Sequence, residues 1–534
     1  MDVTKLLDGM LDRENELSPV GATFKGLHDY DELWEDPGPE GEVAWLAYLD
    51  EYLPAVERAA ETASGDDAVD LRLAHAKLAN YDVHARGIQD QRKNPLGVPA
   101  TVVNAAFVML VREYAPLKER LGAVRARLEK VPAYCARAKR LFERPVDRFT
   151  ALADEMVKHS GAFLTQVIPA AATGDAAGYA DGLRAAGEKA AAALDDFIAH
   201  VKRRPQSPAF AAGRANFNRL LQEHHLLPFD ATSLRAFGED QFRKLQREIK
   251  EVAWRIDPKK TPLEIIADLK HNHPRADGVL AFYRDWMEKA RRFVLDKNLC
   301  GIPPREELEV IETPAFERAT IPFAAYMSPA CYEPRQKGFF YVTPVDPQAP
   351  PEEQEQKLQG HSADKVPVTA LHEGYPGHHL QLCWANRQTR RIRKEGDSNV
   401  TVEGWALYCE EMMREQGFYA DDRIILGQKR DLLWRAVRVI VDAGLHAFDL
   451  PFDAAVNMLI EKVGMERVNA EAEVKRYVYT PTQPMSYLVG KELIMRLRAD
   501  FMKKNAGAAP RLFHDRVLSC GSQPAGIVRE MVLA

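Results

Sequence analysis

The sequence has few of the features that mark membrane-bound, secreted or nucleic-acid-binding proteins. No stretch approaches the roughly 18 consecutive apolar residues of a membrane-spanning helix. The first residues lack the basic and apolar segments of a secretory signal, and the six cysteines are scattered without a CxxC pair. The formal net charge is only −6, which gives no global reason to bind nucleic acid or an anionic membrane. These absences predict a cytoplasmic protein with reduced thiols.

The composition is that of a large globular protein. Hydrophobic residues make up 46% of the 534 residues and charged residues 28%, close to the average for soluble domains. Residues 43–62, 103–129 and 233–256 place apolar side chains at helical spacing. We therefore expect a mainly α-helical fold, formed as a single extended body over residues 1–534 with a helical N-terminal portion over residues 1–300.

The character of the chain changes after residue 305. Residues 308–311 and 338–343 are short runs of β-branched and aromatic residues between turn residues, so we expect a small β-sheet. The second run, with Tyr341 as a candidate substrate contact, could pair with an extended peptide at a sheet edge or could be an ordinary buried hairpin strand. Residues 344–366 contain four prolines and many polar residues, which predicts an exposed loop.

The segment 366–384, VPVTALHEGYPGHHLQLCW, carries the clearest chemical signal. In the HExxH pattern of zinc peptidases, two histidines one turn apart bind the metal and the glutamate acts on the bound water. Here the spacing is HExxxxHH. On an unbroken helix His378 would lie about 120° off the face of His372, and His379 would lie about 10.5 Å further along the axis. The intervening glycines and proline favour a bulge that brings His378 to His372.

We therefore expect His372 and His378 to bind a metal ion. His379 would then contact the substrate or orient a ligand, although the opposite roles for His378 and His379 remain open. Glu403, 25 residues after His378, is the expected third ligand, because a carboxylate from a following helix completes the His₂Glu zinc site and leaves one position for water.

Two further acidic residues on the same helix are alternatives to Glu403. Glu410 and Glu411 could each supply the carboxylate ligand. Glu410 lies two turns after Glu403 on the same face, so it could instead orient a ligand histidine. The expected cofactor is one Zn²⁺ ion per chain. A metal-free structural turn is the competing interpretation.

Hydrolysis also requires a base and a donor to the oxyanion. Glu373 is the expected general base, because it follows the first ligand histidine and could take a proton from the activated water. Tyr487 is the first candidate for the oxyanion donor and Tyr479 the second, and either could equally be a core aromatic residue. His446 and His379 are further catalytic candidates.

Polar residues recur at helical spacing in the otherwise apolar segment LWRAVRVIVDAGLHAF: Arg435, Arg438, Asp442 and His446. Charged groups on a buried helix must be paired or must face a wet cleft. Arg435 or Arg438 could hold a substrate carboxylate in a bidentate contact. The row could equally be an Arg–Asp network that joins helices. Arg476 is a further candidate for binding an anionic group.

Several motifs resemble the DUF885 family, a large set of predicted zinc metallopeptidases. The family pattern HExxPGHHLQ followed by EGWALYxE is matched by HEGYPGHHLQ and EGWALYCE, and similar segments occur at 327–344, 433–448 and 476–490. Thr482 and Pro484 depart from the glycine and alanine that are usual in the last segment. The resemblance implies a mostly helical body around a deep cleft. From the order of segments along the chain, we expect residues 1–300 to form one wall of that cleft and residues 301–534 to form the catalytic portion.

The combined expectation is a zinc-dependent hydrolase that cleaves an amide bond in a short peptide or peptide-like substrate. Two histidines and one carboxylate also form the site of non-haem Fe(II) oxygenases, so an oxygenase is an alternative. A non-catalytic helical protein with a structural metal site is another. Glu373 favours hydrolysis, because an oxygenase does not need a carboxylate beside its ligand. The expected partner is a small substrate, with no nucleic acid or membrane. Neither the substrate nor the oligomeric state follows from the sequence.

Overall fold

The computed structural model describes residues 2–314, 318, 321 and 323–534. The fold is mainly α-helical with one small sheet, which confirms the predicted class. The chain forms two compact units, Met1–His224 with Ala330–Glu333, and His225–Pro329 with Pro334–Ala534. Within the described residues no helix is both long and apolar enough to cross a lipid bilayer.

The first unit is an array of helices around its own core. Buried residues of two of its long helices, such as Leu121, Val124, Leu183 and Leu194, contribute to that core. Three of its turns are π-helical, at Val83–Ile88, Phe163–Val167 and Leu220–His224, and two are 3₁₀ turns, at His28–Tyr30 and Gly174–Tyr179. Its α-helices are α1 (Val3–Leu17), α2 (Pro19–Lys25), α3 (Pro39–Ala60), α4 (Gly65–Asp82), α5 (Asp90–Lys93), α6 (Gly97–Val111), α7 (Leu117–Ala138), α8 (Asp147–Ala162), α9 (Ile168–Ala170), α10 (Ala180–Lys202) and α11 (Arg214–Arg219).

The second unit contains the HExxxxHH segment and most of the other motifs. Residues 225–300, grouped with the N-terminal portion from the sequence, lie in this unit. A 3₁₀ turn spans Ala276–Gly278. Its α-helices are α12 (Ala231–Ile256), α13 (Pro262–Leu269), α14 (Val279–Asp296), α15 (Pro351–Gln359), α16 (Val366–Glu373), α17 (His378–Ala385), α18 (Arg391–Lys394), α19 (Asn399–Glu415), α20 (Asp422–Ala447), α21 (Phe452–Val463), α22 (Arg467–Tyr477), α23 (Ser486–Lys504), α24 (Pro510–Ser519) and α25 (Ala525–Leu533).

Helices α19 and α23 cross at very short distance because each has a glycine at the crossing. A Cβ atom on Gly490 would lie 1.9 Å from the carbonyl oxygen of Val400, and one on Gly404 would lie 2.5 Å from the backbone of Gly490. No side chain fits there. Because α19 carries Glu403 and α23 carries Tyr487, this crossing brings the helices of these two side chains together.

The sheet has three strands in the order β1 (Glu306–Glu312), β3 (Gln336–Val342), β2 (Ala324–Met327). β1 runs parallel to β3 and β2 antiparallel to it, so that Tyr341 is flanked by Ile311 and Ala325. The expectation that a peptide could pair with the strand around Tyr341 is therefore wrong, because both edges of β3 are occupied. Tyr341 is 3% exposed and its ring stacks on Phe339. The other interpretation of this segment, a buried strand, agrees with these contacts.

The composition of the segment 344–366 had predicted a loop, but part of this segment is helical. Helix α15 forms within it and has Pro351 at its first position, where proline is favoured because no hydrogen bond from its nitrogen is required. Glu352 and Glu353 lie in the first turn, where negative charge stabilises the helix. Proline here starts a helix rather than excluding one.

Candidate metal centre

The two histidines predicted as ligands are brought together by a complete break between α16 and α17. The rings of His372 and His378 lie with centroids 4.8 Å apart and nearly perpendicular, at 86°. The chain turns back so tightly that a Cβ on Gly377 would lie 1.8 Å from the carbonyl oxygen of His372. The expected bulge is thus a full interruption, since α16 ends at Glu373 and α17 begins at His378, and proline cannot continue the α-helical hydrogen bonds.

Helix α19 is tied to this break by Trp405. The indole nitrogen of Trp405, which is completely buried, donates a hydrogen bond to the carbonyl oxygen of Pro376 at 2.8 Å. The thiol of Cys409, one turn further, contacts the same oxygen at 3.6 Å. These contacts hold α19 in register with the histidines, and Glu403 lies two residues before Trp405.

Glu403 faces both histidines. Its Oε2 atom lies 3.2 Å from Nε2 of His378 and 3.9 Å from Nε2 of His372. Glu373 also approaches, since it offers a carboxylate oxygen in a group with the two histidines whose ligand atoms all lie within 4.8 Å of one another. The three residues predicted as metal ligands therefore converge, with the predicted base beside them.

Glu410 orients the first histidine. Its Oε1 atom lies 2.7 Å from Nδ1 of His372, which leaves Nε2 of that ring directed towards Glu403. Glu410 is buried, and its backbone carbonyl accepts a hydrogen bond from the Tyr419 hydroxyl at 2.7 Å. A carboxylate behind a histidine fixes its tautomer and makes it a stronger metal ligand. This is the alternative role that the helical spacing had indicated for Glu410.

The buried charges of the site influence one another. Burial alone would raise the pKa of the Glu403 carboxyl, but the hydrogen bond and charge of His378 and the charge of His372 bring it to about 2. Burial would lower the pKa of His378, but Glu403 raises it. Nδ1 of His378 is buried without a hydrogen-bond partner among the described residues. A carboxylate and two imidazoles thus lie together in a place where a cation would be stabilised.

The donor set fits a zinc ion. Zinc is held by imidazole nitrogens and carboxylate oxygens at about 2.0–2.2 Å in tetrahedral geometry, so that its ligand atoms are about 3.3 Å apart. The separations of 3.2 Å and 3.9 Å from Glu403 to the two histidine nitrogens are close to that spacing. The set contains no thiolate, and Glu373 offers a further carboxylate oxygen within 4.8 Å of the histidine nitrogens.

His379 points to the sheet instead. Its Nε2 atom lies 2.7 Å from Oε2 of Glu306 on β1, and its Nδ1 atom lies 3.0 Å from the Tyr326 hydroxyl on β2. A Cβ on Gly338 of β3 would lie 2.8 Å from Nδ1, so the central strand also presses against this ring. His379 is completely buried. Its contacts anchor the first turn of α17, which carries His378.

Glu306 and Tyr326 were missed in the sequence. Neither belongs to a motif, and they lie 73 and 53 residues before His379. Tyr375, inside the helix break, donates a hydrogen bond to the same Glu306 oxygen at 2.5 Å. The only sequence signal is the aromatic character of the tyrosines. The sheet predicted from short β-rich runs thus has a definite role, which is to hold the histidine next to the candidate ligand.

Tyr487 lies against the candidate metal centre. Its hydroxyl is near enough to Glu403 to help lower the pKa of that carboxyl, and its own pKa is raised by burial and by the negative charge of that carboxylate. The guanidinium groups of Arg435 and Arg438 lie over its ring, 5.7 Å and 4.9 Å from the centroid. Tyr479, the second candidate, has Arg476 and Glu473 as its charged neighbours.

Arg438 and Arg476 are held in one ion-pair network. Arg438 donates to the Tyr477 hydroxyl at 2.9 Å and to Glu473 at 3.1 Å. Arg476 donates to the same Glu473 oxygen at 2.9 Å and to Gln483 at 2.7 Å. These contacts agree with the second interpretation of the polar row, a charged network that joins helices. The two arginines connect α20 to α22 and to the segment that follows α22.

Arg435 differs from these two arginines. It donates one hydrogen bond at 3.3 Å, to the backbone carbonyl of Asp431, and its guanidinium lies 4.6 Å from the ring centroid of Trp434. Its Nε atom is buried without an acceptor among the described residues. Arg435 therefore has unused hydrogen-bond donors beside Tyr487.

The other two members of the polar row hold the segment after α22. Asp442 accepts hydrogen bonds from the backbone N–H groups of Thr482 and Met485, both at 3.2 Å, and burial raises its pKa to about 8. Nε2 of His446 lies 2.9 Å from the carbonyl oxygen of Tyr477. Thr482 has a φ of 68°, a left-handed conformation that explains why glycine is usual at this position of the motif.

His225 supports the same turn. It is buried, and its Nε2 atom lies 2.8 Å from the Thr482 hydroxyl. With Asp442 and His446 it positions the segment that leads into α23. These residues act on the placement of Tyr487, and their contacts lie away from the two converging histidines.

Comparisons with known proteins identify related folds but no function. The model of a family described as "Bacterial protein of unknown function (DUF885)" matches residues 19–532. A candidate lipoprotein of unknown function from Shewanella oneidensis has a similar structure, with a TM-score of 0.82, 22% identity and 100% of both chains covered. A candidate lipoprotein from Colwellia psychrerythraea has a TM-score of 0.80 and 17% identity, with 99% of this chain and 98% of that chain covered. No curated protein matches the chain. At these identities the two structures show the fold alone.

Proposed function

The chain belongs to the DUF885 family of bacterial proteins of unknown function, and on that premise we propose that it is a zinc-dependent hydrolase of an amide bond in a short peptide or peptide-like substrate. One observation carries the proposal. Glu403 lies 3.2 Å and 3.9 Å from the Nε2 atoms of His378 and His372, with Glu373 beside them. This is the His₂Glu donor set of catalytic zinc sites, with the carboxylate that such hydrolases use as a base.

His372, His378 and Glu403 would hold the ion. When bound, it would supply a Lewis acid and an activated water for attack on the amide carbon. Glu373 is half-buried, whereas the two histidines are buried, so its carboxylate can meet both solvent and the site. We assign to Glu373 the acceptance of a proton from the attacking water and its transfer to the leaving amine.

Tyr487 is suited to stabilise the oxyanion. Its hydroxyl is near Glu403, and burial raises the pKa of the phenol, so that it stays protonated and can donate a hydrogen bond. A positioned donor beside a developing oxyanion contributes a large part of the rate in acyl transfer. Asp442 and His446 act one step further away, by holding the segment that precedes α23.

Arg435 is the arginine that we assign to the substrate. Arg438 and Arg476 are occupied by Glu473, whereas Arg435 has a buried donor without an acceptor. An anionic group of the substrate, such as a peptide carboxylate, would satisfy it. Tyr341, the other candidate substrate contact, is a buried residue of the central strand and receives no such role.

The cytoplasm is the location that we propose. Cys135, Cys300, Cys383, Cys409 and Cys520 are buried thiols, which suits a reducing compartment. The proposal is checked by fractionating cells that produce the chain. Recovery of the protein in the membrane or outside the cytoplasm would contradict it.

The proposed function is tested with purified protein and a library of short peptides. We expect one zinc ion per chain and cleavage of an amide bond. Glu373→Gln should retain the zinc and lose turnover, by about 10²-fold or more, as expected for removal of a general base. Glu415→Gln is the matched control, because Glu415 is partly exposed and pairs with Arg498.

Two results would overturn the proposal. Iron in place of zinc, with oxygen consumed during turnover, would make the protein an oxygenase of the 2-His-1-carboxylate type. Tight zinc binding with no cleavage of any peptide or amide, in wild type as in Glu373→Gln, would make the metal structural.

A further inference from the structure

The first unit contains a cavity whose lining is unlike that of the candidate metal centre. Its volume is about 370 Å³ and its lining residues lie between Glu35 and Phe142. They come from the start of α3 and the residues just before it, the end of α4 with the π-helical turn Val83–Ile88, α5 and the residue after it, α6, and α7 with the residues that follow it. A volume of this size accommodates a small organic molecule.

Aromatic rings form part of the wall. Trp45, Tyr81, Tyr134 and Phe142 all line the space, and the rings of Trp45 and Tyr81 lie with centroids 5.1 Å apart, tilted by 55°. The face of an aromatic ring carries negative potential and attracts cations, most strongly for tryptophan. Apolar side chains such as Leu49 complete this part of the lining.

Glu35 contributes a carboxylate to the same space. Its Oε2 atom accepts a hydrogen bond from the backbone N–H of Val20 at 3.3 Å, and it forms no ion pair with any other described residue. Arg127 is near enough for its charge to act on Glu35, but it donates its hydrogen bonds elsewhere, to the Thr23 hydroxyl at 2.7 Å and the Ala105 carbonyl at 3.0 Å. Burial raises the pKa of Glu35, as expected for a carboxylate that lacks a cation.

The other carboxylates of the lining already have side-chain partners. Asp36 pairs with Arg137 and Glu42 with Arg92, and Asp90 forms a hydrogen bond with the ring of His84. Lys77 lies 5.7 Å from the centroid of Tyr81, but its ammonium is paired with Glu14 at 3.1 Å. Glu35 is thus the one carboxylate of the lining that has no side-chain partner among the described residues.

We propose that this cavity binds an organic ammonium ion, a primary amine on an aliphatic or aromatic body. The ammonium group donates hydrogen bonds to Glu35 and lies against the faces of Trp45 and Tyr81. The carbon body packs on the apolar part of the wall. An anionic ligand would be repelled by Glu35, and a neutral apolar one would leave that carboxylate buried and unpaired, which is costly.

The local backbone independently points to a binding site. The turn Val83–Ile88, which supplies His84 and Ala85 to the lining, is π-helical, and such turns occur frequently at functional sites. It ends at Gln89, which has a φ of 63°. Non-glycine residues rarely adopt this conformation, and where it occurs it is concentrated at ligand sites.

The test is calorimetry on the full chain with 2-phenylethylamine as the probe. The matched controls are 2-phenylethanol, which has nearly the same shape without the charge, and 3-phenylpropionate, which has the opposite charge. We expect binding of the amine at least about tenfold tighter than of the alcohol, since a hydrogen bond to a charged group contributes about that much. The propionate should not bind.

Substitutions of lining residues test whether the probe binds in this cavity. Glu35→Gln should weaken binding of the amine by about tenfold or more, and Trp45→Leu should weaken it as well. Glu40→Gln is the control, because Glu40 is exposed and pairs with Arg140. This variant should bind the amine with the affinity of the wild type. Circular dichroism confirms that each variant is folded. His372→Ala, in the other unit, should bind the amine unchanged.

Several outcomes would overturn the proposal. These are equal affinity for amine and alcohol, unchanged affinity in Glu35→Gln, or no heat of binding at millimolar probe. A loss of binding in His372→Ala with retention in Glu35→Gln would also overturn it, because the probe would then be at the metal centre.

Discussion

Removing the carboxylate behind His372 should weaken zinc binding although none of the three candidate ligands changes. Glu410 lies 2.7 Å from Nδ1 of that histidine and is 3% exposed, so water cannot replace it easily. Loss of such a partner typically costs 10–100-fold in metal affinity, or about 1.4–2.7 kcal/mol. Glu410→Gln keeps an acceptor and loses only the charge, so we expect the lower end of that range. Glu410→Ala leaves the imidazole N–H buried without a partner and should reach the upper end.

The assay is competition for zinc against a chromophoric chelator at neutral pH. Glu415→Gln is again the control, since Glu415 lies on the same helix and its partner is Arg498. Its zinc affinity should equal that of wild type. If Glu410→Ala bound zinc as tightly as wild type, His372 would not depend on Glu410, and the reasoning from the observed contact would be refuted. A weaker affinity in the control would show that the effect is not specific to the histidine contact.

Three further predictions concern the substrate, the helix crossing and pH. Arg435→Gln should raise KM for peptides with a free carboxylate by about tenfold or more and leave peptide amides unaffected; equal effects on both would contradict the assignment. Gly490→Ala should lower the unfolding free energy by about 1–3 kcal/mol, because its Cβ would lie 1.9 Å from a backbone oxygen, whereas Gly161→Ala, with nothing within 4 Å, should not; equal unfolding curves would refute this. Burial lowers the pKa of His514 from 6.5 to about 4, so the unfolded chain binds a proton in that window that the folded chain does not, and stability should fall on acidification by up to about 1.4 kcal/mol per pH unit. Thermal unfolding of His514→Gln should show a shallower fall, and an unchanged slope would contradict the cause.

The convergence of the candidate ligands could be predicted because these residues are close together in the chain. His372 and His378 are separated by glycine and proline, whose backbone preferences do not depend on distant contacts. That is why the approach of these two histidines was predictable, although the form of the break was not. The role of Glu410 followed from the period of one helix, since it shares a face with Glu403. The helical class followed from the spacing of apolar residues for the same reason.

The sequence left open the roles of residues whose partners lie far away in the chain. Whether Arg435, Arg438 and Arg476 are paired depends on Glu473, which no local pattern connects to them. His379 faces Glu306 and Tyr326 because a sheet formed by segments far apart in sequence packs against α17. The central position of β3, which excludes a peptide at its edge, likewise depends on where two other strands pair.

The sequence by itself therefore determined the helical class, the break between two histidines and the donor set that converges there. The tertiary structure alone decided which charged side chains are paired, which histidine faces the sheet, and that Glu35 in the first unit forms no ion pair with another described residue. The physical reason is that backbone propensity and helical period act over a few residues. The partner of a buried charge is whatever the packing of distant elements brings within hydrogen-bond distance.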